Sequence, residues 1–172
     1  LSILRLDQDG NRLWTKTYDI TGADVRGYCV TPLPDGGFAV CGEIEPSAGD
    51  DQAWILRTDA NGDTLWAREW GWTYNDKAMR VIYEDNGITV LTHGRLESTS
   101  GGPHIVHYDL DGNLLWETPI PDLYGEYGQD MCLASDSGYI VLTRGMGPVI
   151  AHVDSTGAVQ WSMYPMGTGW PF

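Results

Sequence analysis

A corner followed by a tryptophan, Asp-x-x-Gly-x-x-x-Trp, occurs four times in 172 residues and constrains the fold more than any other feature. It runs from Asp7 through Gly10 to Trp14, from Asp59 through Gly62 to Trp66, from Asp109 through Gly112 to Trp116, and from Asp154 through Gly157 to Trp161. The steps between copies are 52, 50 and 45 residues. Repeats of that length belong to propeller blades or to helical arrays. The corner decides for strands: Asp opens a type I turn with its own side chain, and Gly accepts the positive φ that closes a hairpin.

A second set of turns lies between the copies, at Pro34-Asp35-Gly36-Gly37, Asp85-Asn86-Gly87 and Asp136-Ser137-Gly138. Each full repeat therefore carries two hairpins and four short strands rich in branched and aromatic residues. The strands expected are 28–33, 38–42, 53–58 and 64–69, then 79–83, 88–93, 104–108 and 114–117, then 131–134, 139–144, 149–153 and 159–163. Residues 3–6 and 13–17 supply only the last two strands of a unit. This pattern predicts an all-β chain, a β-propeller segment of about three and a half four-stranded antiparallel blades. The half blade covers 1–18, the blades 19–71, 72–121 and 122–165, and the tail 166–172. Propellers close with about four blades or more. The expected partners are thus further blades, from the rest of a longer chain or from a second protomer.

Composition agrees, with Gly 22, Pro 9 and 11% aromatic residues describing many short strands joined by turns. A net charge of −14 with only 10 Lys+Arg repels phosphates, so neither nucleic acid nor an anionic membrane surface is an expected partner. No apolar run approaches the roughly 18 residues needed to span a bilayer, and membrane insertion is not expected.

The fourth copy, Asp154-Ser155-Thr156-Gly157-Ala158-Val159-Gln160-Trp161, resembles the tryptophan-docking repeat of quinoprotein (PQQ-like) propellers, with a turn one residue shorter. The other three copies, with Asp-Gly-Asn or Asn-Gly-Asp turns, are similar to the Asp-Gly-Gly repeats of secreted bacterial propeller proteins. The resemblance covers nearly the whole chain. It implies a propeller architecture and an extracellular, cell-surface or periplasmic location. Function does not follow from the architecture, because such propellers include dehydrogenases, assembly scaffolds and surface proteins. A quinone enzyme would require a full ring with cofactor and calcium ligands, and no equivalent cluster stands out here. No cofactor or metal is expected.

Equivalent tryptophans on the outermost strand suit a wedge between neighbouring blades, where a large indole buries area and its N–H finds an acceptor. The Asp-rich turns invite calcium, but the twelfth residue of the loops starting at Asp7 and Asp109 would be Tyr18 and Ile120, which cannot close a calcium site. Two residues before each turn Asp stands a cation or a histidine, Arg5, Arg57, His107 and His152, which suggests a local carboxylate pair in every unit. On the first hairpin Cys29 and Cys41 fall opposite each other, within disulfide reach in an oxidising compartment, and Cys132 is left over.

The connections from strand 2 to 3 and from each unit to the next are the long ones, and variation at loop tips is where binding is placed. They gather rings beside amides and carboxylates, as a glycan or peptide site does. The candidate ligand-binding residues are Trp72, Tyr74, Asp76, Tyr124, Glu126 and Tyr127. The sequence is read as a non-enzymatic binding or assembly module of an extracytoplasmic propeller, with no catalytic residues assigned. Two alternatives stand beside it: a quinoprotein-type or hydrolytic enzyme whose catalytic residues lie in other blades, and a purely structural cell-surface spacer.

Overall fold

A computed structural model of the chain describes residues 1–47, 49–71, 75–84, 87–94, 102–120, 127–144 and 149–163. Among the described residues the chain is all β, with fourteen strands and no helix. A two-stranded sheet holds β1 (Ser2–Leu6) and β2 (Arg12–Thr17). Three four-stranded antiparallel sheets follow in chain order. The first contains β3 (Ala23–Pro32), β4 (Phe38–Pro46), β5 (Gln52–Thr58) and β6 (Thr64–Trp70). The second contains β7 (Lys77–Glu84), β8 (Gly87–Gly94), β9 (Gly102–Tyr108) and β10 (Leu114–Pro119). The third contains β11 (Tyr127–Leu133), β12 (Tyr139–Arg144), β13 (Ile150–Val153) and β14 (Val159–Met163). Each is a simple meander, as short turns between sequential strands dictate. Strand β3 is longer than the sequence suggests, because 23–27 continue the ladder opposite 42–46.

Among the described residues the sheets stack on one another and do not close into a ring. Strand β7 packs against β3, β4 and β5 of the preceding sheet, and β11 packs against β7, β8 and β9. One hydrophobic cluster fills each gap. Val40, Ile44, Trp54 and Leu56 meet Leu1, Ile3 and Tyr18 in the first gap. Ala39, Cys41, Ala53 and Ile55 meet Ala78, Val81, Ile88 and Val90 in the second. Leu91 and Ile105 meet Met131, Tyr139, Val141 and Ala151 in the third. Side chains alternate along a strand, so Val40 and Cys41, or Trp54 and Ile55, are sent to opposite gaps. A middle strand covered on both faces must be apolar at nearly every position, and β8, reading Gly-Ile-Thr-Val-Leu-Thr-His-Gly, is buried throughout.

Among the described residues, seven register shifts recur at equivalent places. In the last hairpin of every unit the residue before the tryptophan is unpaired: Leu13, Leu65, Leu115 and Gln160 each lie between two paired neighbours. In the first strand of each four-stranded sheet the extra residue is Tyr28, Met79 or Gln129. An extra residue resets which way the following side chains point and increases the local twist. The bulge thus aims each tryptophan after a turn that would otherwise fix the opposite face.

Candidate functional site

The four Asp-x-x-Gly corners have one geometry. The Asp carbonyl accepts from the Gly N–H at 3.0–3.1 Å, and Gly10, Gly62, Gly112 and Gly157 all sit at φ between +80° and +88°. Each Asp Oδ1 accepts two backbone N–H groups at 2.8–3.0 Å, from the residues two and four places on. These bonds to the ionised form hold all four carboxyls below the usual aspartate range. Side-chain donors dominate for three of them, Asn11 on Asp7, Asn113 on Asp109 and Thr156 on Asp154. The Asp63 N–H dominates for Asp59.

Three of the four corners also receive the tryptophan of the preceding unit. A Cβ placed on Gly62 would lie 3.0 Å from the Trp14 ring, one on Gly112 2.8 Å from Trp66, and one on Gly157 2.8 Å from Trp116. The indole N–H of Trp14 donates to the Ala60 carbonyl at 3.3 Å, and that of Trp66 to the Leu110 carbonyl at 2.9 Å. The residue two places after the tryptophan flanks the same glycine: Lys16 over Gly62, Arg68 over Gly112 and Thr118 over Gly157. Lys16 also pairs with Asp63 at 2.7 Å, and Arg68 Nε donates to the Gly112 carbonyl at 2.9 Å. The glycine is required twice over, for its φ and because the docked ring leaves no room for a side chain. Trp161 has the same register opposite His152 but is 42% exposed, and Gly10 has nothing within 4 Å of where its Cβ would be.

The position two before each Asp is the cross-strand partner of the tryptophan in every unit: Arg5 with Trp14, Arg57 with Trp66, His107 with Trp116 and His152 with Trp161. Arg57 pairs with Asp35 at 2.6 Å and His152 with Asp136 at 3.1 Å, in each case the Asp of the first turn in the same sheet. Both arginines also reach forward: Arg5 donates to the Ala60 carbonyl at 2.6 Å, and Arg57 donates to the Leu110 carbonyl. His107 is too short for that reach. Its ring stacks on Trp116 at 5.2 Å, and its Nδ1 meets Thr89 Oγ1 at 2.7 Å. The Tyr139 hydroxyl crosses that gap instead, donating to Glu84 and lying 3.0 Å from Thr89 Oγ1. Burial holds the His107 imidazole below its ordinary value, against an opposing pull from Glu84 and Asp109.

At the opposite end of the sheets, where the long loops leave, two of the described carboxylates are fully buried, those of Glu43 and Asp76. The Glu43 side chain is fully buried, and it spans two sheets by accepting from Arg26 at 2.9 Å and Lys77 at 2.5 Å. Burial pushes its carboxyl up, but hydrogen bonds from Lys77, Tyr28 and Arg26 outweigh it and leave it below the usual glutamate range. Asp76, also fully buried, fits between two glycines: a Cβ on Gly71 would fall 2.0 Å from one carboxylate oxygen, and a Cβ on Gly94 2.4 Å from the other. Trp70 lies against Gly94 and 5.2 Å from the His104 ring. The buried His93 ring lies 4.2 Å from that of Tyr127 at an interplanar angle of 38°, and Tyr127 is 51% exposed.

Of the six ligand-binding candidates read from sequence, Trp72, Tyr74, Tyr124 and Glu126 lie outside the described residues. Asp76 and Tyr127 are both at the loop end, one sealed and one open to solvent. The sequence reading missed Glu43, Lys77, Arg26 and His93. Nothing in one sequence separates Glu43 from the other 23 acidic residues, 24 in all. The isolated glycines at 71 and 94, beside Trp70 and His93, are the signal that could have marked a close approach. Cys29 and Cys41 are cross-strand partners, and both are free thiols.

The fold defines a repeat protein of stacked antiparallel sheets joined by tryptophan-on-turn contacts. The chain is similar in structure to a protein of unknown function from Bacteroides caccae, with a TM-score of 0.64 and 14% sequence identity over 96% of this chain. It spans 55% of that protein's length, and identity this low speaks to the fold alone. No protein family matches the sequence, and neither does any curated protein.

Proposed function

We propose that the chain is a segment of a β-propeller that serves as a non-enzymatic binding module of an extracytoplasmic protein, taking a neutral glycan or a peptide at the loop end of its sheets. The observation that carries this reading is the Tyr127 ring, half open to solvent and backed by the nearly buried His93 at 4.2 Å. A ring held by a second ring behind it offers a stacking face at little entropic cost. The buried Glu43 carboxylate is neutralised locally by Lys77 and Arg26. The net charge of −14 disfavours an anionic one. The opposite end is occupied by turn closure and tryptophan docking, which leaves it little freedom to vary. The propeller part of the reading is supported by the meandering four-stranded sheets, their stacking and the turn-to-tryptophan repeat.

Glycan-array and peptide-library binding, measured on the wild type and on Tyr127→Ala, tests the site. Loss of about tenfold or more in affinity, the scale of an aromatic anchor, with unchanged thermal unfolding, is the expected outcome. Binding that is indifferent to Tyr127, or absent for both ligand classes in a folded protein, removes the loop end as a site.

A further inference from the structure

The first strand of each four-stranded sheet is an edge strand, and the residue after its bulge is Cys29 in β3, Arg80 in β7 and Asp130 in β11. Stacking brings these edges side by side. Strand β7 packs against both β3 and β11, and Arg80 Nε lies 3.3 Å from an Asp130 carboxylate oxygen. Among the described residues, a second cysteine stands across the ladder in the first sheet alone. Cys41 pairs with Cys29, whereas Leu91 faces Arg80 and Leu142 faces Asp130. Cross-strand partners send their side chains to one face, and both thiols meet the cluster that fills the second gap. They differ in access. Cys29 is partly exposed, with its sulfur 3.8 Å from the Val81 carbonyl oxygen, and Cys41 is fully buried.

We propose that Cys29 and Cys41 form a redox-active dithiol that exchanges with low-molecular-weight disulfides, Cys29 entering as the nucleophile and Cys41 resolving the adduct. In the first step the Cys29 thiolate attacks one sulfur of the small disulfide. A mixed disulfide forms on Cys29, and the other half leaves as a thiolate. In the second step Cys41 gives its proton to that leaving thiolate and attacks the Cys29 sulfur. The bond between Cys29 and Cys41 forms, and the second small thiol leaves. Two electrons pass from the protein pair to the small disulfide, which is released as two thiols. The order of attack follows from access and charge, since the thiolate is the attacking form. A hydrogen bond from Cys41 brings the Cys29 thiol down to about 6, with Arg80 assisting and burial and Asp130 opposing, while burial pushes the Cys41 thiol well up. Directly paired positions hold their α-carbons about 4.5–5.5 Å apart, inside disulfide range, so the second step needs no rearrangement of the strands. The site does not depend on any ligand at the loop end.

Oxidised glutathione is the probe, added without oxygen to the reduced protein carrying Cys132→Ser, an exposed position. Quenched samples are mapped by mass spectrometry. A glutathione adduct on Cys29 should appear first and give way to the bridge between Cys29 and Cys41, with two reduced glutathiones released per chain. Cys41→Ala should trap the adduct, and Cys29→Ser should leave Cys41 unmodified while the chain is folded. At pH 6 the folded pair should react about tenfold faster than the same chain unfolded in urea, because the larger thiolate fraction outweighs the lower nucleophilicity of a low-pKa sulfur. Arg80→Gln should move the midpoint of the pH profile for the first step upward, and an unchanged midpoint removes Arg80 from the site. A first adduct on Cys41, a folded pair no faster than the unfolded chain, or a Cys29 adduct that never resolves into the bridge would each overturn the dithiol. Glycan and peptide binding by Tyr127 is read in a separate assay, so the two ideas fail independently.

Discussion

The Trp66 indole N–H donates to the Leu110 carbonyl at 2.9 Å, so a side chain of one sheet is tied to the backbone of the next across 44 residues of sequence. Trp66 is 8% exposed and belongs to the cluster that fills the second gap. Trp66→Ala should therefore cost about 3–5 kcal/mol, as large-to-small core changes do. Trp161→Ala should cost less than about 0.5 kcal/mol, the scale of a surface change. Urea melts of the two variants check the contrast, and equal losses would contradict the docking account.

The glycines offer a cleaner separation of causes. Gly10 and Gly62 have almost the same φ, +83° and +80°, but only Gly62 lies beneath a ring. Alanine at either position should lose about 1 kcal/mol to the left-handed backbone. Gly62→Ala should lose about 1–3 kcal/mol more, because its Cβ meets Trp14 in a packed joint. A difference near zero between the two variants would show that the ring yields freely.

Much of this arrangement was legible beforehand because it is local. Asp59 and Gly62 specify their own turn chemistry, and the spacing of Asp59 to Trp66 returns in all four units. Strand pairing follows from those turns. The bulges were not legible: Leu65 and Leu115 look like ordinary strand residues, and only the ladder shows that they have no partner. The forward reach of Arg5 and Arg57 to carbonyls of the following sheet was hidden for the same reason. A contact to a backbone oxygen leaves no mark on the residue that supplies it. The loop end was harder still, since burial of Asp76 and Glu43 depends on how sheets far apart in sequence meet.

Ser137 stands where Gly36 stands in the first sheet, and it carries φ +66°, against +83° for Gly36. A side chain in that region costs about 1 kcal/mol. Ser137→Gly should raise stability by about that amount, less a few tenths lost to the added freedom of glycine in the unfolded chain. A destabilised variant in thermal melts would mean that the serine makes a compensating contact.

Cys29 and Cys41 are directly paired across β3 and β4, and paired strand positions bring α-carbons to about 4.5–5.5 Å, inside disulfide range. Mild oxidation should link these two and leave Cys132, which is exposed, as the remaining thiol. Peptide mapping by mass spectrometry checks the pairing. A product bridged through Cys132 while Cys29 and Cys41 stay reduced would show that burial of Cys41 blocks the reaction.

Acid should destabilise the chain in two stages. Burial holds His104 and His107 below the ordinary histidine value of 6.5, so as pH falls through 6.5 the unfolded chain gains protons that the folded chain resists. Stability then declines toward their folded values. Glu43 and the four corner aspartates are depressed from 4.5 and 3.8. Their contribution is fully present above those values and is lost as pH falls through the lower folded ones. Urea midpoints should fall from pH 7.5 to 5.5 and again below about pH 4. A midpoint that stayed flat over the first interval would contradict the neutral, buried histidines.

In the first two joints the hydrogen bond from the indole lands on a carbonyl, of Ala60 or Leu110, and every amino acid carries that group. The receiving turn need only keep its Asp and its Gly, and the residues between them, Ala60-Asn61 in one copy and Leu110-Asp111 in another, are free to differ. A unit copied by gene duplication would arrive already compatible with the neighbours on either side. Growth or shortening of such an array by whole units requires no side chain to be rematched, whereas a one-residue deletion at Leu65 would turn Trp66 away from the surface it must meet.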